Sequence, residues 1–555
     1  MSVAATKRSE YFAPLVLITL FAIVYVAPIG FRPLVSPDEV RYGEVAREML
    51  VSGDWVSPRF NGVRYFEKPI LGHWINALSL AAFGENEFAV RFPAALATGL
   101  TALIIFALTR RFVSGSSATW AAAIFLTTAL VGAVGTFAVL DPFLSLCTTA
   151  AVAAWYLALH EPAVAKRARY LVACGVACGA AFLVKGFIGW AVPALAAGGY
   201  LVVRRQWRSL ATLSWVPILV AILVAAPWAI LIHEREPDFW NYFFWVEHVK
   251  RFAGDNAQHS RPFWFYIATL PGLAWPWTLA WPAGFLGLRS VLRRDSFLVF
   301  VLMWALLPLA FFSLAHGKLL TYILPCFPAF AILLAAGLEQ HVSRSPQRVM
   351  RGATLALAGI LALELAAILV AQAGGVGRPL YGASESLKAT ALCVLLGVGV
   401  CSSVVAFRSA RSVTRLMALA IGGVAFILPL QVLLPERVLD VTAPTVAVAR
   451  HAPSAETVVV ADASRFGTVA WTLKRDDIYV VSSGEIGYGL SYPEARFREL
   501  TGRMLAALIE TAGARADILI VCKPATVAAI GAMLPARAMR FQDGSTVFVE
   551  IPRAK

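Results

Sequence analysis

The chain has 555 residues, of which 59% are hydrophobic and 15% are charged. A soluble domain averages about half apolar and about a quarter charged residues, so this composition excludes a purely soluble protein. The formal net charge of +15 comes mostly from short loops between apolar runs, where Lys and Arg set membrane orientation, and it does not predict nucleic-acid binding.

Long uncharged runs predict thirteen transmembrane helices. The predicted spans lie near residues 11–30, 93–112, 117–137, 142–160, 170–184, 187–203, 210–232, 263–288, 296–315, 319–338, 352–373, 388–407 and 416–434. No small-x-small cleavage site follows the first run, which is longer than a typical signal core. We therefore predict a retained first helix.

Basic residues predict the orientation of these helices. With the N-terminus in the cytoplasm, every predicted inside loop is short and basic, and the C-terminus lies outside. The basic positions are Lys7–Arg8, Arg110–Arg111, Lys166–Arg169, Arg204–Arg208, Arg289–Arg294, Arg344–Arg351 and Arg408–Arg415.

Three outside segments differ from the other loops. Residues 31–92 and 233–261 are rich in charge and aromatic side chains, and we predict that they form an active site. Residues 435–555 follow the predicted membrane domain, 1–434, and are predicted to form a soluble α/β domain. Its predicted elements are strands at Thr457–Val460, Ile478–Val481, Ile518–Val521 and Val547–Ile551, and a helical stretch at Pro493–Ala512.

The first outside loop opens with Ser36-Pro37-Asp38-Glu39-Val40-Arg41-Tyr42. One interpretation is structural, because Ser36 or Asp38 can cap a helix that Pro37 helps to start. The other is functional, because acids beside a cation at a membrane surface are typical of a site for a charged lipid head. The spacing alone leaves both interpretations open.

The same loop continues with Tyr65-Phe66-Glu67-Lys68-Pro69. Pro69 begins an apolar helix at 70–83, which is too short to span a membrane and is predicted to lie in the interface. A lysine at a helix start opposes the helix dipole. A bound phosphate at Lys68 would explain that position.

Together these motifs resemble those of the GT-C glycosyltransferases, which use polyprenyl-phosphate sugars. The resemblance rests on the DE pair after the first helix, the YFEKP-type segment and the short helix that follows, and it covers roughly residues 5–335. It continues at Leu140-Asp141-Pro142, Lys185-Gly186, Glu247–Phe252 and Lys318–Pro325. The overall pattern is most similar to the bacterial lipid A aminoarabinose transferases, and the family also includes protein O-mannosyltransferases.

This resemblance implies an all-α polytopic membrane domain with a C-terminal soluble α/β domain. It implies transfer of 4-amino-4-deoxy-L-arabinose from undecaprenyl phosphate to a lipid A phosphate at the periplasmic face of the bacterial inner membrane, and with it polymyxin resistance. The expected partners are the lipid-linked donor, lipid A and membrane lipids, and the expected state is a monomer. The alternatives are a protein O-mannosyltransferase or another sugar transferase on this scaffold, a lipid or solute transporter, and a scaffold protein.

The predicted site residues follow from the motifs and the resemblance. We predict catalytic roles for Asp38, Glu39 and Asp141, lipid-phosphate binding by Lys68, Arg41, Lys185 and Arg251, and substrate binding by Tyr42, Tyr65, Glu67 and Tyr322. The resemblance implies Asp38 as the candidate base. A lipid A phosphate is ionised near neutral pH and needs little proton abstraction, so the alternative role of Asp38 is to orient the sugar or to offset its positive charge.

No cofactor is expected to be required. Glu67 and His248 form a candidate divalent-metal pair, with zinc the metal that suits them. A catalytic zinc typically has three protein ligands, so an ordinary loop contact is the alternative interpretation.

Overall fold

The computed structural model describes residues 13–250, 259–292, 295–344, 348–375 and 377–554, without the side chains of 248, 250 and 344. The chain divides into two compact units. Unit 1 comprises the described residues of Met1–Ile29, Ala94–Ile230 and Trp240–Leu433. Unit 2 comprises those of Gly30–Pro93, Leu231–Phe239 and Leu434–Lys555. This division groups residues 31–92 with the C-terminal segment, and it differs from the predicted domain boundaries.

Long apolar helices dominate unit 1. Within the described residues, nine helices are long and apolar enough to cross a membrane. They are Glu87–Phe112, Asp141–Leu159, Val164–Lys185, Trp207–Arg235, Ser296–Leu314, Leu320–Ser343, Arg348–Gln372, Ala383–Arg408 and Ser412–Val432. Each coincides with a predicted span, which confirms the polytopic fold class.

The other four predicted spans are short or broken. Ala13–Val26 and Ile188–Val203 are apolar but shorter, and Gly115–Leu126 bends by 61° into Ala129–Gly135. The span predicted at 263–288 consists of three pieces, Phe265–Leu273, Trp277–Ala280 and Trp281–Val291. Prolines at 271, 276 and 282 explain these breaks, since proline cannot donate to the helix ladder.

Glycines allow close helix contacts in unit 1. A Cβ atom added at Gly287 would lie 1.8 Å from the carbonyl oxygen of Gly337, and one at Gly337 would lie 2.1 Å from that of Gly284. Helices Trp281–Val291 and Phe327–Arg344 therefore meet backbone to backbone. Small residues that permit such approach are characteristic of helix packing in membranes.

The C-terminal part of unit 2 is an α/β domain, as predicted. Its strands are β3 (Val458–Asp462), β4 (Tyr479–Val481), β5 (Ile518–Cys522), β6 (Met539–Asp543) and β7 (Thr546–Ile551). They form a five-stranded sheet in the order β4-β3-β5-β7-β6, in which β3 is parallel to β4 and β5, and β7 is antiparallel to β5 and β6. The helices are Glu436–Thr442, Thr445–Arg450, Phe466–Leu473, Gly502–Thr511 and Pro524–Ile530.

The four predicted strands are therefore confirmed, whereas β6 was missed. Its residues, MRFQD, lack an apolar run and are largely exposed or half-buried. The predicted helix at Pro493–Ala512 was too long, because the α-helix begins at Gly502, after the N-cap residue Thr501.

Residues 31–92, which were predicted to be the first outside loop, also fold within unit 2. They form helix Asp38–Ser52, the hairpin β1 (Arg59–Phe60) and β2 (Val63–Arg64), and helix Leu71–Phe83. Val45, Phe60 and Tyr65 share one hydrophobic core with one face of the five-stranded sheet. This shared core holds the loop residues in place.

Candidate active site

Asp38 is the first residue of helix Asp38–Ser52, and its side chain stays accessible. The N-cap residue is Pro37, and no side chain caps the helix. The expected capping by Ser36 or Asp38 is therefore wrong. The Asp38 side chain is 45% exposed and forms an ion pair with Arg41. A carboxylate with this exposure is free to meet a ligand.

Arg41 joins two carboxylates. Its side chain is 9% exposed, pairs with Asp38 and lies 2.5 Å from Glu485. Its guanidinium also lies 4.9 Å from the centre of the Tyr42 ring. Sequence reasoning missed Glu485, which follows β4 more than 400 positions along the chain, because no local pattern connects it to Arg41.

Glu39 is enclosed, in contrast to Asp38. It is fully buried, and its carboxylate accepts hydrogen bonds from Arg32 at 2.6 Å and from Arg91 at 2.6 and 2.7 Å. Burial would raise the pKa of Glu39, but Arg91 and Arg32 outweigh it and lower the pKa to about 2. This geometry suits a residue that positions the helix carrying Asp38, and the catalytic role of Glu39 stays a prediction.

Tyr65, Glu67 and Lys68 form a second polar group in unit 2. The Tyr65 hydroxyl donates to Glu67 at 3.1 Å, and the Lys68 ammonium lies 3.8 Å from the same carboxylate. Lys68 also donates to the Glu67 carbonyl oxygen at 2.9 Å, and its side chain is 18% exposed. It precedes helix Leu71–Phe83, which has no side-chain cap. The cation is thus positioned at a helix start, as the sequence predicted.

His73 lies between the two tyrosines and was not assigned a role from the sequence. Its ring is 6.0 Å from that of Tyr42 and 6.4 Å from that of Tyr65. It is fully buried, and neither ring nitrogen has a hydrogen-bond partner among the described residues. Burial, together with the charges of Arg41 and Lys68, lowers the pKa of His73 to about 3. The imidazole is therefore neutral at physiological pH.

Unit 1 holds a second acid, cation and tyrosine. Asp141 begins helix Asp141–Leu159, and Lys185 ends helix Val164–Lys185, so each charge lies at the helix end that its sign favours. Their charged atoms are 2.8 Å apart, and Lys185 lies 5.2 Å from the centre of the Tyr322 ring. The side chains of Asp141 and Lys185 are 7% and 10% exposed. Three predicted site residues are thus brought together within this unit.

Two of the predicted site residues are not fully described by the structure. Arg251 is not among the described residues, and of His248 the side chain is not described. Within the described residues no group of three His, Cys, Asp or Glu side chains could hold a metal ion. Glu67, the described half of the proposed zinc pair, already contacts Tyr65 and Lys68.

Two family models match different parts of the chain. Residues 12–243 match the family described as dolichyl-phosphate-mannose-protein mannosyltransferase. Residues 440–550 match the C-terminal domain of the arabinosyl transferase ArnT. The first match covers helices and loops that carry Asp38, Lys68, Asp141 and Lys185, and the second covers the five-stranded sheet.

Solved structures give the fold. ArnT from Cupriavidus metallidurans, bound to undecaprenyl phosphate, superposes with a TM-score of 0.80 at 24% identity, over 97% of each chain. The archaeal oligosaccharyltransferase AglB from Archaeoglobus fulgidus superposes with a TM-score of 0.52 at 12% identity, over 93% of this chain and 70% of that one. The fold is therefore that of the membrane-embedded glycosyltransferases.

Relatives that are similar in sequence identify the family within this class of glycosyltransferases. The chain is 40% identical to an undecaprenyl phosphate-alpha-4-amino-4-deoxy-L-arabinose arabinosyl transferase from Edwardsiella ictaluri over 491 residues, which is 86% of this chain and 88% of the relative. It is 33% identical to one from Pseudomonas fluorescens over 562 residues, covering 100% of this chain and 95% of the relative. The chain belongs to this family of arabinosyl transferases. The predicted family is thus confirmed, and the protein is a multi-pass membrane enzyme of the glycosyltransferase class.

Proposed function

We propose that the enzyme transfers 4-amino-4-deoxy-L-arabinose from undecaprenyl phosphate to a phosphate group of lipid A. The names of the relatives support the sugar and its carrier. The observation that carries the proposal is the accessible Asp38 carboxylate beside buried Arg41, within the unit that also positions Lys68. An exposed acid with nearby cations suits a glycosyl donor that carries both a positively charged sugar and a phosphate.

The proposed reaction balances without a net proton transfer. An oxygen of the acceptor phosphate forms the new bond to the anomeric carbon, and the bond from that carbon to the carrier phosphate breaks. Undecaprenyl phosphate leaves with the electron pair. The acceptor phosphate is ionised near neutral pH, so the enzyme needs no strong base.

Asp38 then acts on charge rather than on a proton. Its carboxylate offsets positive charge that develops at the anomeric carbon and the charge of the sugar's 4-ammonium group. Lys68 and Arg41 stabilise the phosphate that leaves, and Tyr42, Tyr65 and Glu67 line the sugar. Asp141, Lys185 and Tyr322 form the second proposed group, with Lys185 as a further phosphate-binding cation. Arg251 remains a proposed member of the phosphate-binding set.

A protein O-mannosyltransferase is the second candidate function, because residues 12–243 match that family. The match of residues 440–550 to the ArnT C-terminal domain favours the arabinosyl transferase. Membranes that contain the enzyme and the aminoarabinose donor can be given either lipid A or a hydroxyl-bearing peptide. Modification of lipid A alone is expected, and modification of the peptide alone would contradict the proposal.

Mass spectrometry of lipid A tests donor and acceptor together. Lipid A from cells that express the gene should contain a species heavier by one aminopentose, which a deletion strain lacks. The wild-type gene should restore this species, whereas a gene encoding Asp38→Asn should not. An unchanged lipid A profile in the deletion strain, under conditions where the protein is made, would overturn the proposal.

We also propose that the protein lies in the bacterial inner membrane, with unit 2 in the periplasm, as a monomer. The basic inside loops and an odd number of predicted spans support this orientation. Alkaline phosphatase, which is active only after export, should be active when fused after Asp440. An inactive fusion there, together with an active cytoplasmic reporter at the same position, would refute the orientation.

A further inference from the structure

A cavity of about 530 Å³ opens at the carboxyl end of the parallel strands in unit 2. It is lined by residues that directly follow β3, namely Ala463–Phe466, by Gly484 and Glu485 after β4, and by Lys523 after β5. The chain leaves β3 towards β4 on one side, and β5 lies on the other side of β3. This crevice is where open α/β sheets bind ligands.

Arg465 is a buried cation at this crevice. It is 3% exposed and is the N-cap residue of helix Phe466–Leu473, which has no side-chain cap. Its Nη2 atom donates to the carbonyl and hydroxyl oxygens of Ser545 at 3.1 and 2.8 Å, whereas Nε is buried with no partner among the described residues. A cation at a helix start opposes the dipole, and an anion bound beside it would offset this unfavourable interaction.

The nearest acid does not provide that anion through hydrogen bonds. Asp462 accepts from the backbone N–H and hydroxyl of Ser464 with one oxygen, and from the Lys523 N–H and the Thr526 hydroxyl with the other. Burial lowers the pKa of Arg465, and the charge of Asp462 only partly offsets this effect. The cavity is therefore left with an incompletely compensated positive charge.

Other lining groups suit an anion as well. The Lys523 side chain is exposed, and Lys523 lines the cavity. Glu485 is the acid in the lining, and it is ion-paired with Arg41. A phosphate monoester carries a charge of about −1.5 to −2 at neutral pH and three acceptor oxygens, which matches the two cations.

We propose that this cavity binds a phosphate monoester through Arg465 and Lys523, separately from the carrier phosphate at Lys68. The cavity has room for a sugar attached to that phosphate. Ser36 and Pro37 line it and directly precede Asp38, while Glu485 shares Arg41 with Asp38. Identifying the ligand as a phosphate of the glycolipid acceptor rests on the proposed function, whereas the anion site itself does not.

Calorimetric titration of the full-length protein in phosphatidylcholine nanodiscs tests the site. The probes are glucosamine 1-phosphate, inorganic phosphate and glucosamine. Wild type should bind a phosphorylated probe but not glucosamine, and Lys523→Glu should weaken that binding by at least about 10-fold, since 1.4 kcal/mol is tenfold and a charge-assisted contact contributes more. Arg503→Glu is the matched control, because Arg503 is exposed on helix Gly502–Thr511 outside the cavity lining.

The titration distinguishes a phosphate carried by a sugar from free inorganic phosphate. Tighter binding of glucosamine 1-phosphate than of inorganic phosphate supports a phosphate monoester, whereas equal binding would identify free phosphate as the ligand and contradict the monoester. Arg465→Gln should also lose binding, with retained folding checked by size-exclusion profile and circular dichroism. Undecaprenyl phosphate binding should be unchanged in Lys523→Glu. Failure of either phosphate to bind wild type, or wild-type affinity in Lys523→Glu, would overturn the site without bearing on sugar transfer.

Discussion

The two units each contain an acid, a cation and a tyrosine, but the two groups differ in exposure. In unit 2 the cation Arg41 lies 4.9 Å from the Tyr42 ring, and in unit 1 the cation Lys185 lies 5.2 Å from the Tyr322 ring. The Asp38 side chain is 45% exposed, whereas that of Asp141 is 7% exposed. The same three kinds of side chain therefore form an accessible group in one unit and a closed group in the other.

The number of ion-pair partners of each cation accounts for part of this difference in exposure. Arg41 pairs with Glu485 as well as with Asp38, so its charge is not committed to Asp38 alone. Asp141 and Lys185 form a nearly buried pair at 2.8 Å. A buried pair has lost its hydration, and removing one partner leaves an uncompensated charge. We therefore expect substitutions in unit 2 to impair chemistry, and those in unit 1 to impair stability as well.

The largest expected effect is that of Asp38→Asn. Loss of the carboxylate charge should reduce kcat by about 1,000-fold, which corresponds to about 4 kcal/mol of transition-state stabilisation. Turnover of purified, monodisperse enzyme measures the effect, and folding should be intact because the Asp38 side chain is 45% exposed. Asp54→Asn is the matched control in the same loop, since Asp54 pairs with Arg235 and not with Arg41. Wild-type turnover in Asp38→Asn would make Asp38 a structural residue only.

The next effect tests the closed group. Asp141→Asn removes the carboxylate charge that faces the nearly buried Lys185, so the free energy of unfolding should fall by about 3 kcal/mol. The double variant Asp141→Asn/Lys185→Met removes both charges and should recover most of that stability while remaining inactive. Denaturant titrations and transfer assays on both variants measure the two quantities. Recovery of activity as well as stability in the double variant would show that the pair is structural.

Lys68→Ala is expected to act on binding. A charge-assisted contact to phosphate contributes about 1.5–3 kcal/mol, so binding of undecaprenyl phosphate should weaken by about 10- to 100-fold. Lys68→Arg should not restore this binding, because the planar guanidinium group of arginine does not replace the compact ammonium charge of lysine in a fixed pocket. Lys474→Ala is the control, since Lys474 also contacts a glutamate, Glu85, at 3.1 Å. Equal affinity in wild type and both Lys68 variants would remove Lys68 from the site.

Sequence patterns predicted the features that depend on local order. Apolar runs correctly predicted the long helices, and β-branched runs predicted four of the five strands in the C-terminal sheet. The predicted position of Lys68 before an apolar helix was also correct. The strand β6 was missed because its position depends on pairing with β7 and not on its own composition.

Long-range partners could not be predicted. The adjacent acids Asp38 and Glu39 look alike in sequence, yet Arg32 and Arg91 enclose only Glu39. Glu485 reaches Arg41 from the loop after β4, and Arg465 and Lys523 meet at one cavity because the sheet brings together the ends of β3 and β5. These contacts depend on tertiary structure, which a single sequence does not reveal.

The smallest expected effect concerns His73 and the pH dependence of stability. Its folded-state pKa of about 3 is lower than the ordinary value of 6.5, so the folded protein requires the neutral imidazole. The stabilisation is present above pH 6.5 and is lost as the pH falls, because the unfolded chain then takes up a proton that the folded chain does not. Between pH 6.5 and 5 this linkage should cost about 2 kcal/mol of unfolding free energy.

The variant His73→Phe keeps an aromatic ring between Tyr42 and Tyr65, and it should remove the part of the pH dependence of unfolding free energy that comes from His73. His451→Phe is the control, because His451 is 31% exposed beside Asp543 and its variant retains buried His73. Denaturant titrations in detergent at several pH values compare the three proteins, and a slope in His73→Phe as steep as that of wild type would show that the neutral His73 does not determine acid stability.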